Sequence, residues 1–129
     1  MNPEELAKQA ASARELAYAP YSKFKVGAAI LDSNGNVYTG CNVENASYGM
    51  SMCAERVALY KAISEGRKSI QSIAISLSGA GSPCGACRQA LHEFNPSMRV
   101  HLADESGSIF HETTLNKLLP HAFGPENLD

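Results

Sequence analysis

Tryptophan is absent from this 129-residue chain, and Phe and Tyr together make up only 7% of it. Proteins that bind single nucleic-acid strands use aromatic stacking platforms inside a cationic groove. Here 11 Lys and Arg residues stand against 13 Asp and Glu residues, which gives a net charge of −2. This balance argues against a nucleic-acid-binding protein, because phosphate contacts need clustered cations.

Long apolar runs are also missing, since none approaches the roughly 20 residues of a membrane span. The first ten residues are polar and acidic, so we expect no secretory signal and a cytoplasmic protein without membrane contact. Apolar residues make up 44% of the chain, which is enough for a core. We therefore expect a single domain over residues 1–129, and a domain of this size gains from sharing its surface with partner subunits.

The apolar pattern predicts an α/β chain in the order helix, two strands, helix, strand, helix, two strands, helix. Asn2 is predicted to cap the first helix, which the spacing of apolar residues extends to Pro20, and Thr113 is predicted to cap the last. The other two helices are expected over 53–65 and 84–94. Strands are expected over 25–31, 37–42, 73–77, 98–103 and 108–112. One helix separates the third and fourth strands, which predicts that they are parallel neighbours in a mixed sheet with helices on both faces.

The chain has four cysteines, and without an export signal they are not expected to form disulfides. Cys84 and Cys87 lie three residues apart at a predicted helix start, so both sulfurs can face one point. The dipole and free amides of that helix end favour thiolate, which is the form that binds metal. A Cys-x-x-Cys pair alone is ambiguous between zinc binding and redox chemistry.

Cys53 favours the zinc interpretation, because it also lies at a predicted helix start. Three sulfurs and one water form an open tetrahedral site of the catalytic kind, and the metal makes hydroxide available near neutral pH. Glu55 is the right group to move protons beside it. Residues two apart on a helix point roughly 200° apart, so either Cys53 lies at the cap or the Glu55 side chain folds back.

A closed structural zinc site with four cysteine ligands is the alternative, with Cys41 as the fourth. It leaves Glu55 without a role, and Cys41 and Cys53 do not have the spacing of a zinc knuckle. We expect Cys41 to be a buried small hydrophobe instead.

Cys53-Ala54-Glu55 followed by Pro83–Cys87 is similar to the His-x-Glu and Pro-Cys-x-x-Cys pattern of zinc deaminases, in which Cys can replace His and Glu is the acid/base. Over nearly its whole length the chain resembles the small, homotetrameric cytidine deaminases with three cysteine ligands. The segments that carry this resemblance are Tyr21–Ala29, Asn42–Ala46, Cys53–Arg56, Pro83–Gln89 and Leu118–Pro120.

The resemblance implies a three-layer α/β/α fold around a five-stranded mixed sheet. It implies hydrolysis of cytidine and deoxycytidine to the uridines and ammonia, in pyrimidine salvage. Cys53, Cys84 and Cys87 would hold one Zn²⁺ per chain. Zinc-activated hydroxide would attack C4 of the ring, while Glu55 would protonate N3 and carry a proton to the departing amine.

The resemblance also implies the substrate contacts. The backbone at Ala54 and Ser82 would touch the base edge, and Phe24 would pack on the pyrimidine. Asn42 and Glu44 would bind the ribose hydroxyls. For Asn42 and Glu44 the alternative is plain turn chemistry, and for Phe24 it is core packing.

Five further residues are expected near the borders between subunits of the implied homotetramer. Phe123 would close the site from the C-terminal segment or from a neighbouring subunit. Ala46 and Tyr48 would contact a neighbour's active site. We expect Arg88 and Gln89 to serve the helix and subunit contacts.

Arg56 is expected to tune the metal. Zinc with three thiolates carries a net charge of −1, which makes it a weaker acidifier of water than a site of neutral ligands. Arg56 follows Cys53 by three residues and can share its helix face. Hydrogen bonds from its guanidinium to the sulfurs would restore Lewis acidity. The alternative is a solvated helix arginine.

Competing functions stay open at this point. The zinc chemistry could serve another aminopyrimidine nucleoside or a free base, although Asn42 and Glu44 favour a substrate with ribose. A nucleic-acid editing deaminase is disfavoured by the net charge. A non-catalytic domain stabilised by zinc is the remaining alternative.

Overall fold

The computed structural model describes residues 1–67 and 69–128, which are organised around one five-stranded sheet. Its strands lie in the spatial order β2-β1-β3-β4-β5, and all neighbours are antiparallel except β3 and β4, which are parallel. The strands are β1 (Val26–Asp32), β2 (Val37–Cys41), β3 (Ile70–Leu77), β4 (Arg99–Ala103) and β5 (Ile109–Thr114). The predicted mixed sheet and its parallel pair are confirmed.

Helices cover both faces of this sheet, as predicted. They are α1 (Pro3–Arg14), α2 (Ala54–Ser64), α3 (Gly85–His92) and α4 (Leu115–Leu118). Side chains alternate along β1: Ala28 and Ile30 pack in a core with residues of α2 and α3, whereas Ala29 packs with Leu6 and Ala10 of α1. The fold is therefore a three-layer α/β/α sandwich.

Several predicted element ends were wrong. The third strand begins at Ile70 and not at residue 73, α3 ends at His92 and not at 94, and β5 runs to Thr114 and not to 112. Helix α1 ends at Arg14, well before Pro20, because Tyr18 leaves the helical path and pairs with a later loop: its amide donates to Asn42 O at 3.0 Å, and its carbonyl accepts from Glu44 N at 2.8 Å. Thr114, and not Thr113, is the N-cap of the last helix, because that helix begins one residue later than predicted, at Leu115. The Asn2 cap is confirmed, since its Oδ1 accepts from Glu5 N at 2.8 Å.

None of the helices within residues 1–67 and 69–128 has the length and the apolar content that a membrane crossing needs.

Gly40 of β2 sets how close α2 lies to the sheet. A Cβ at this position would lie 2.5 Å from Ala58 N and 2.7 Å from Ala54 O, both of which are backbone atoms of α2. The backbone of a helix cannot move aside as a flexible side chain can. The lack of a side chain at Gly40 therefore allows the start of α2, with Cys53 and Glu55, to lie this close to the sheet.

Gly40→Ala is therefore expected to lower the free energy of unfolding by about 2 kcal/mol, as overpacking does in tight cores. Urea unfolding monitored by circular dichroism measures the change. Gly49→Ala is the control, because a Cβ there meets open space among the described residues. Equal stabilities of the two variants would contradict this account of the contact.

Candidate functional site

Two helix N-termini bring three cysteines together. Cys53 is the N-cap of α2, Cys84 is the N-cap of α3, and Cys87 is buried in the first turn of α3. Their sulfurs lie within 4.8 Å of one another, and Cys53 and Cys84 are 4.0 Å apart. A tetrahedral zinc site with Zn–S bonds of about 2.3 Å places its sulfurs roughly 3.8 Å apart. The cluster therefore fits one zinc ion and leaves a fourth position open.

The surroundings of the cluster favour the thiolate form of Cys53. Both helix dipoles direct their positive ends at the sulfurs. A hydrogen bond from Cys87 lowers the pKa of Cys53 to about 5, and the Arg56 guanidinium, whose Nη2 lies 3.6 Å from Cys53 Sγ, adds to this effect. The same pairing with Cys53, together with burial, raises the pKa of Cys87. Reciprocally, Cys53 raises the pKa of Arg56, so that side chain is a permanent cation.

Cys41 lies outside this cluster. In the part of the chain that the structure describes, the group with metal-ligand spacing holds Cys53, Cys84 and Cys87, and Cys41 is a half-buried free thiol at the end of β2. It is thus less buried than expected. The closed site with four cysteines gains no support from this arrangement.

Cys41→Ser is accordingly expected to leave one zinc ion per chain, whereas a structural four-cysteine site would lose it. Zinc per chain is measured by atomic emission on the purified variant, with circular dichroism to verify the fold. Cys84→Ser is the matched substitution within the cluster and is expected to weaken zinc binding. Loss of zinc from folded Cys41→Ser would support the closed structural site with four cysteine ligands.

Glu55 lies in the first turn of α2 and is only 5% exposed. Two residues that are two apart within a helix would point in nearly opposite directions, but Cys53 lies outside the helix. Its backbone is extended, with φ −73° and ψ 151°, so this restriction does not apply to Cys53 and Glu55. Burial raises the pKa of Glu55 to about 7, against the opposing effect of a backbone hydrogen bond. The carboxyl can therefore both hold and release a proton near neutral pH, which suits general acid–base catalysis.

A cavity of about 220 Å³ joins Glu55, Cys53 and Cys84 to several predicted substrate contacts. Its lining residues are Phe24, Val26, Asn42, Cys53, Ala54, Glu55, Leu77, Ser82 and Cys84. Four of the six predicted substrate-binding residues thus line one cavity with the catalytic candidate. The other two, Glu44 and Phe123, are not among its lining residues.

Asn42 and Glu44 both make the local hydrogen bonds of the turn-chemistry alternative. Asn42 Oδ1 accepts from Val26 N, and its Nδ2 donates to Phe24 O, both at 2.8 Å. Glu44 accepts from the amides of Tyr21 and Ser22 at 3.0 and 3.1 Å and from the Ser22 hydroxyl. Its pKa is lowered first by the hydroxyl, so Glu44 is ionised. Each side chain keeps spare hydrogen-bonding capacity, because an amide or a carboxylate can make more bonds than these.

Glu44 lines a separate depression of about 380 Å³ with Tyr21, Ser22, Tyr48 and Ser51. Tyr48 is 76% exposed and meets Tyr21 edge-on, with ring centroids 6.0 Å apart. Ala46 is also exposed, and Phe123 is 57% exposed. Phe24 is 45% exposed, so it is not a core residue as the alternative required. The adjacent exposed rings of Tyr21 and Tyr48 form a contiguous apolar surface, which is typical of contacts with a ligand or another subunit.

Arg88 is a residue whose local role the sequence analysis missed. Its guanidinium bonds Pro83 O at 2.8 Å and Ser82 Oγ at 2.9 Å, which places it behind the wall of the cavity. A signal was present: Arg88 follows Cys84 by four residues, so its side chain can reach back over the start of its helix.

The chain matches the family model described as "Cytidine and deoxycytidylate deaminase zinc-binding region" over residues 1–103. A cytidine deaminase of Sporosarcina psychrophila is 51% identical over 131 residues, covering 99% of this chain and 96% of that protein. A cytidine deaminase of Halalkalibacterium halodurans is 48% identical over 132 residues, covering 100% and 99%. The crystal structure of cytidine deaminase from Burkholderia pseudomallei is 46% identical, with a TM-score of 0.90, over 95% of this chain and 100% of that one.

Proposed function

The chain belongs to the cytidine and deoxycytidylate deaminase family, and from this premise we propose that it catalyses the hydrolytic deamination of cytidine and deoxycytidine. The family match and the curated relatives indicate a zinc-dependent hydrolase. The observation that carries the proposal is a cluster of three metal-ligand thiols, two of which, Cys53 and Cys84, line one cavity with the buried carboxyl of Glu55. We assign the activity to a single domain over residues 1–129.

Cys53, Cys84 and Cys87 hold the zinc ion in this proposal, because their sulfurs have the spacing that tetrahedral zinc requires. When bound, zinc supplies Lewis acidity, which makes water a competent nucleophile near neutral pH. Arg56 offsets the excess negative charge of the sulfurs through its contact with Cys53.

Glu55 is the proton shuttle. As water adds to C4 of the ring, Glu55 takes up one of its two protons and delivers a proton to N3. It then passes a proton from the added oxygen to the amino group, and the C4–N bond breaks to release ammonia and leave the uridine carbonyl. A carboxyl with a pKa of about 7 is matched to donating and accepting in turn.

Phe24 packs on the base, and the backbone at Ala54 and Ser82 contacts its polar edge. This placement is supported by the common cavity that these three residues line. Asn42 and Glu44 bind the ribose with the hydrogen-bonding capacity that their local contacts leave free. Glu44 lies two residues along the chain from Asn42, which lines the cavity, and this proximity in sequence supports its assignment to the sugar.

We further propose a homotetramer in which subunits complete one another's sites. Ala46, Tyr48 and Phe123 are exposed and are the contacts we assign to neighbouring subunits. Sedimentation equilibrium of the zinc-loaded protein tests this, and a monomer with full activity would contradict it.

A cytoplasmic role in pyrimidine salvage is proposed as well. Free-nucleoside hydrolysis returns cytidine to the uridine pool, and the four free thiols suit a reducing compartment.

The deciding experiment for the function follows ultraviolet absorbance of cytidine, deoxycytidine, cytosine and adenosine with the purified zinc-loaded protein. We expect loss of the cytidine chromophore with both nucleosides and none with cytosine, because the free base lacks the ribose that Asn42 and Glu44 are proposed to bind. Turnover of neither cytidine nor deoxycytidine would refute the proposed function.

A further inference from the structure

Arg88 ties together three parts of the chain around the helix that carries two of the metal ligands. Its Nε donates to Pro83 O at 2.8 Å, and its Nη2 donates to Ser82 Oγ at 2.9 Å. The second terminal nitrogen of the guanidinium, Nη1, donates to Leu118 O at 2.7 Å. A planar guanidinium offers this fixed fan of donors, which a Lys ammonium on a flexible stem does not reproduce.

The segment that Arg88 holds has little backbone support of its own. Pro83 has no amide hydrogen. Outside helices and strands, the described residues show no backbone–backbone hydrogen bond made by 81–83. Ser82 nevertheless lines the cavity beside Glu55. The position of this part of the cavity wall therefore depends on the hydrogen bonds from Arg88.

The same helix also fixes the C-terminal segment. Arg88 holds the Leu118 carbonyl, and its neighbour Gln89 donates from Nε2 to Phe123 O at 2.9 Å. Two adjacent residues of α3 thus anchor the stretch that carries Phe123. A single short helix therefore positions two metal ligands, the Ser82 wall of the cavity and the segment proposed to close it.

Arg56 and Arg88 differ in what they touch. Arg56 bonds a ligand sulfur, so its removal changes the charge at the metal. The three acceptors of Arg88 are oxygen atoms of Ser82, Pro83 and Leu118. Its removal therefore changes positions rather than the charge on the sulfurs.

We propose that Arg88 is a positioning residue that sets the affinity for the nucleoside, by holding Ser82–Pro83 and the C-terminal segment against the cavity. It takes no part in proton transfer. This inference rests on the proposed function, because it assigns Ser82 and Phe123 to the substrate.

The test compares Arg88→Ala, Arg88→Lys and the wild type, all zinc-loaded, in steady-state turnover of cytidine and in calorimetric binding of the product uridine. For Arg88→Ala we expect KM and the uridine Kd to rise about tenfold or more, because Ser82 and the C-terminal segment lose the hydrogen bonds that hold them and with them contacts to the nucleoside; tenfold in affinity is about 1.4 kcal/mol. We expect kcat to change by less than about threefold. A rise in KM with nearly constant kcat indicates that the lost contacts bind the substrate and the transition state equally. Arg88→Lys is expected to recover only part of the affinity.

Three measurements keep the result interpretable. Zinc per chain and its affinity in chelator competition are expected to stay near wild type, since no ligand is removed. Hydrogen exchange of the zinc-loaded Arg88→Ala is expected to speed up at the amide of Leu119, which donates to Leu115 O at 2.9 Å beside the Leu118 carbonyl that Arg88 holds. Arg99→Ala, an exposed arginine of β4 away from the cavity, is the control.

Unchanged KM and uridine affinity in a folded, zinc-loaded Arg88→Ala would overturn the proposal, as would a fall in kcat alone. If Arg88→Ala does not fold, Arg88→Gln is measured in the same way, and wild-type affinity there overturns it. Failure of the wild type itself to turn over cytidine or bind uridine would instead refute the proposed function.

Discussion

Replacing Glu55 by Gln is expected to slow cytidine turnover about a thousandfold while one zinc ion per chain stays bound, because a positioned acid–base group contributes about 10²–10⁴ in rate. The amide has nearly the size of the carboxyl and can fill the same buried position. It cannot donate a proton to N3 or accept one from the added oxygen. Turnover is measured by ultraviolet absorbance, and zinc by atomic emission on the same sample.

Glu65→Gln is the matched control, because Glu65 follows the last residue of the same helix, is exposed, and lies far along α2 from the cysteines. It is expected to keep wild-type turnover. Uridine binding to Glu55→Gln should also persist, which separates loss of chemistry from loss of the cavity. Turnover of Glu55→Gln within about tenfold of wild type would remove Glu55 from the mechanism, since its loss would then cost less than acid–base catalysis supplies.

The position of Glu55 shows what the sequence can predict about this site. The pattern around Cys53 and Cys84 located both at helix starts, and the structure places each at an N-cap. Capping resolves the conflict between Cys53 and Glu55, because the cap residue leaves the helical path. The depth of Glu55 was not predictable, since its burial comes from long-range packing of α2 on the sheet.

Long-range pairing also explains where the prediction of elements went wrong. The apolar repeat that extends the first helix to Pro20 is local, whereas Tyr18 is drawn away by Asn42 and Glu44 from a distant loop. The close approach of α2 at Gly40 is likewise invisible in a strand pattern. The need for glycine at such a position becomes visible only when the helix that packs on it is known.

Side-chain hydrogen bonds between loops were the least predictable part of the site. Asn42 and Glu44 were predicted as ribose contacts, and both also brace neighbouring backbone. For Arg88 the sequence offers one signal, its spacing of four residues from Cys84. Its acceptor Leu118 lies 30 residues further along the chain. A propensity or a motif does not encode such a contact, because it exists only when the two segments meet.

Arg56→Ala is the second large effect we expect. Residues that bond to metal ligands typically contribute about 10- to 100-fold to activity or metal affinity, and we expect kcat to fall within that range. The Arg56 guanidinium lies 3.6 Å from Cys53 Sγ, where it draws charge from a thiolate. Without it, three thiolates hold the metal at a net charge of −1, which lowers its Lewis acidity.

The fold is expected to survive Arg56→Ala, because the side chain is half-buried and its buried Nε has no hydrogen-bond partner among the described residues. Circular dichroism and zinc content verify this. Arg56→Lys and Arg56→Gln separate charge from volume: the lysine keeps a cation near the sulfurs, and the glutamine keeps bulk and hydrogen bonding without charge. Partial recovery of kcat in Arg56→Lys but not in Arg56→Gln identifies the charge as the cause. Equal activity of all three variants and the wild type would instead support the alternative that Arg56 is a solvated helix arginine. Removal of a cation that tunes the metal has to lower kcat.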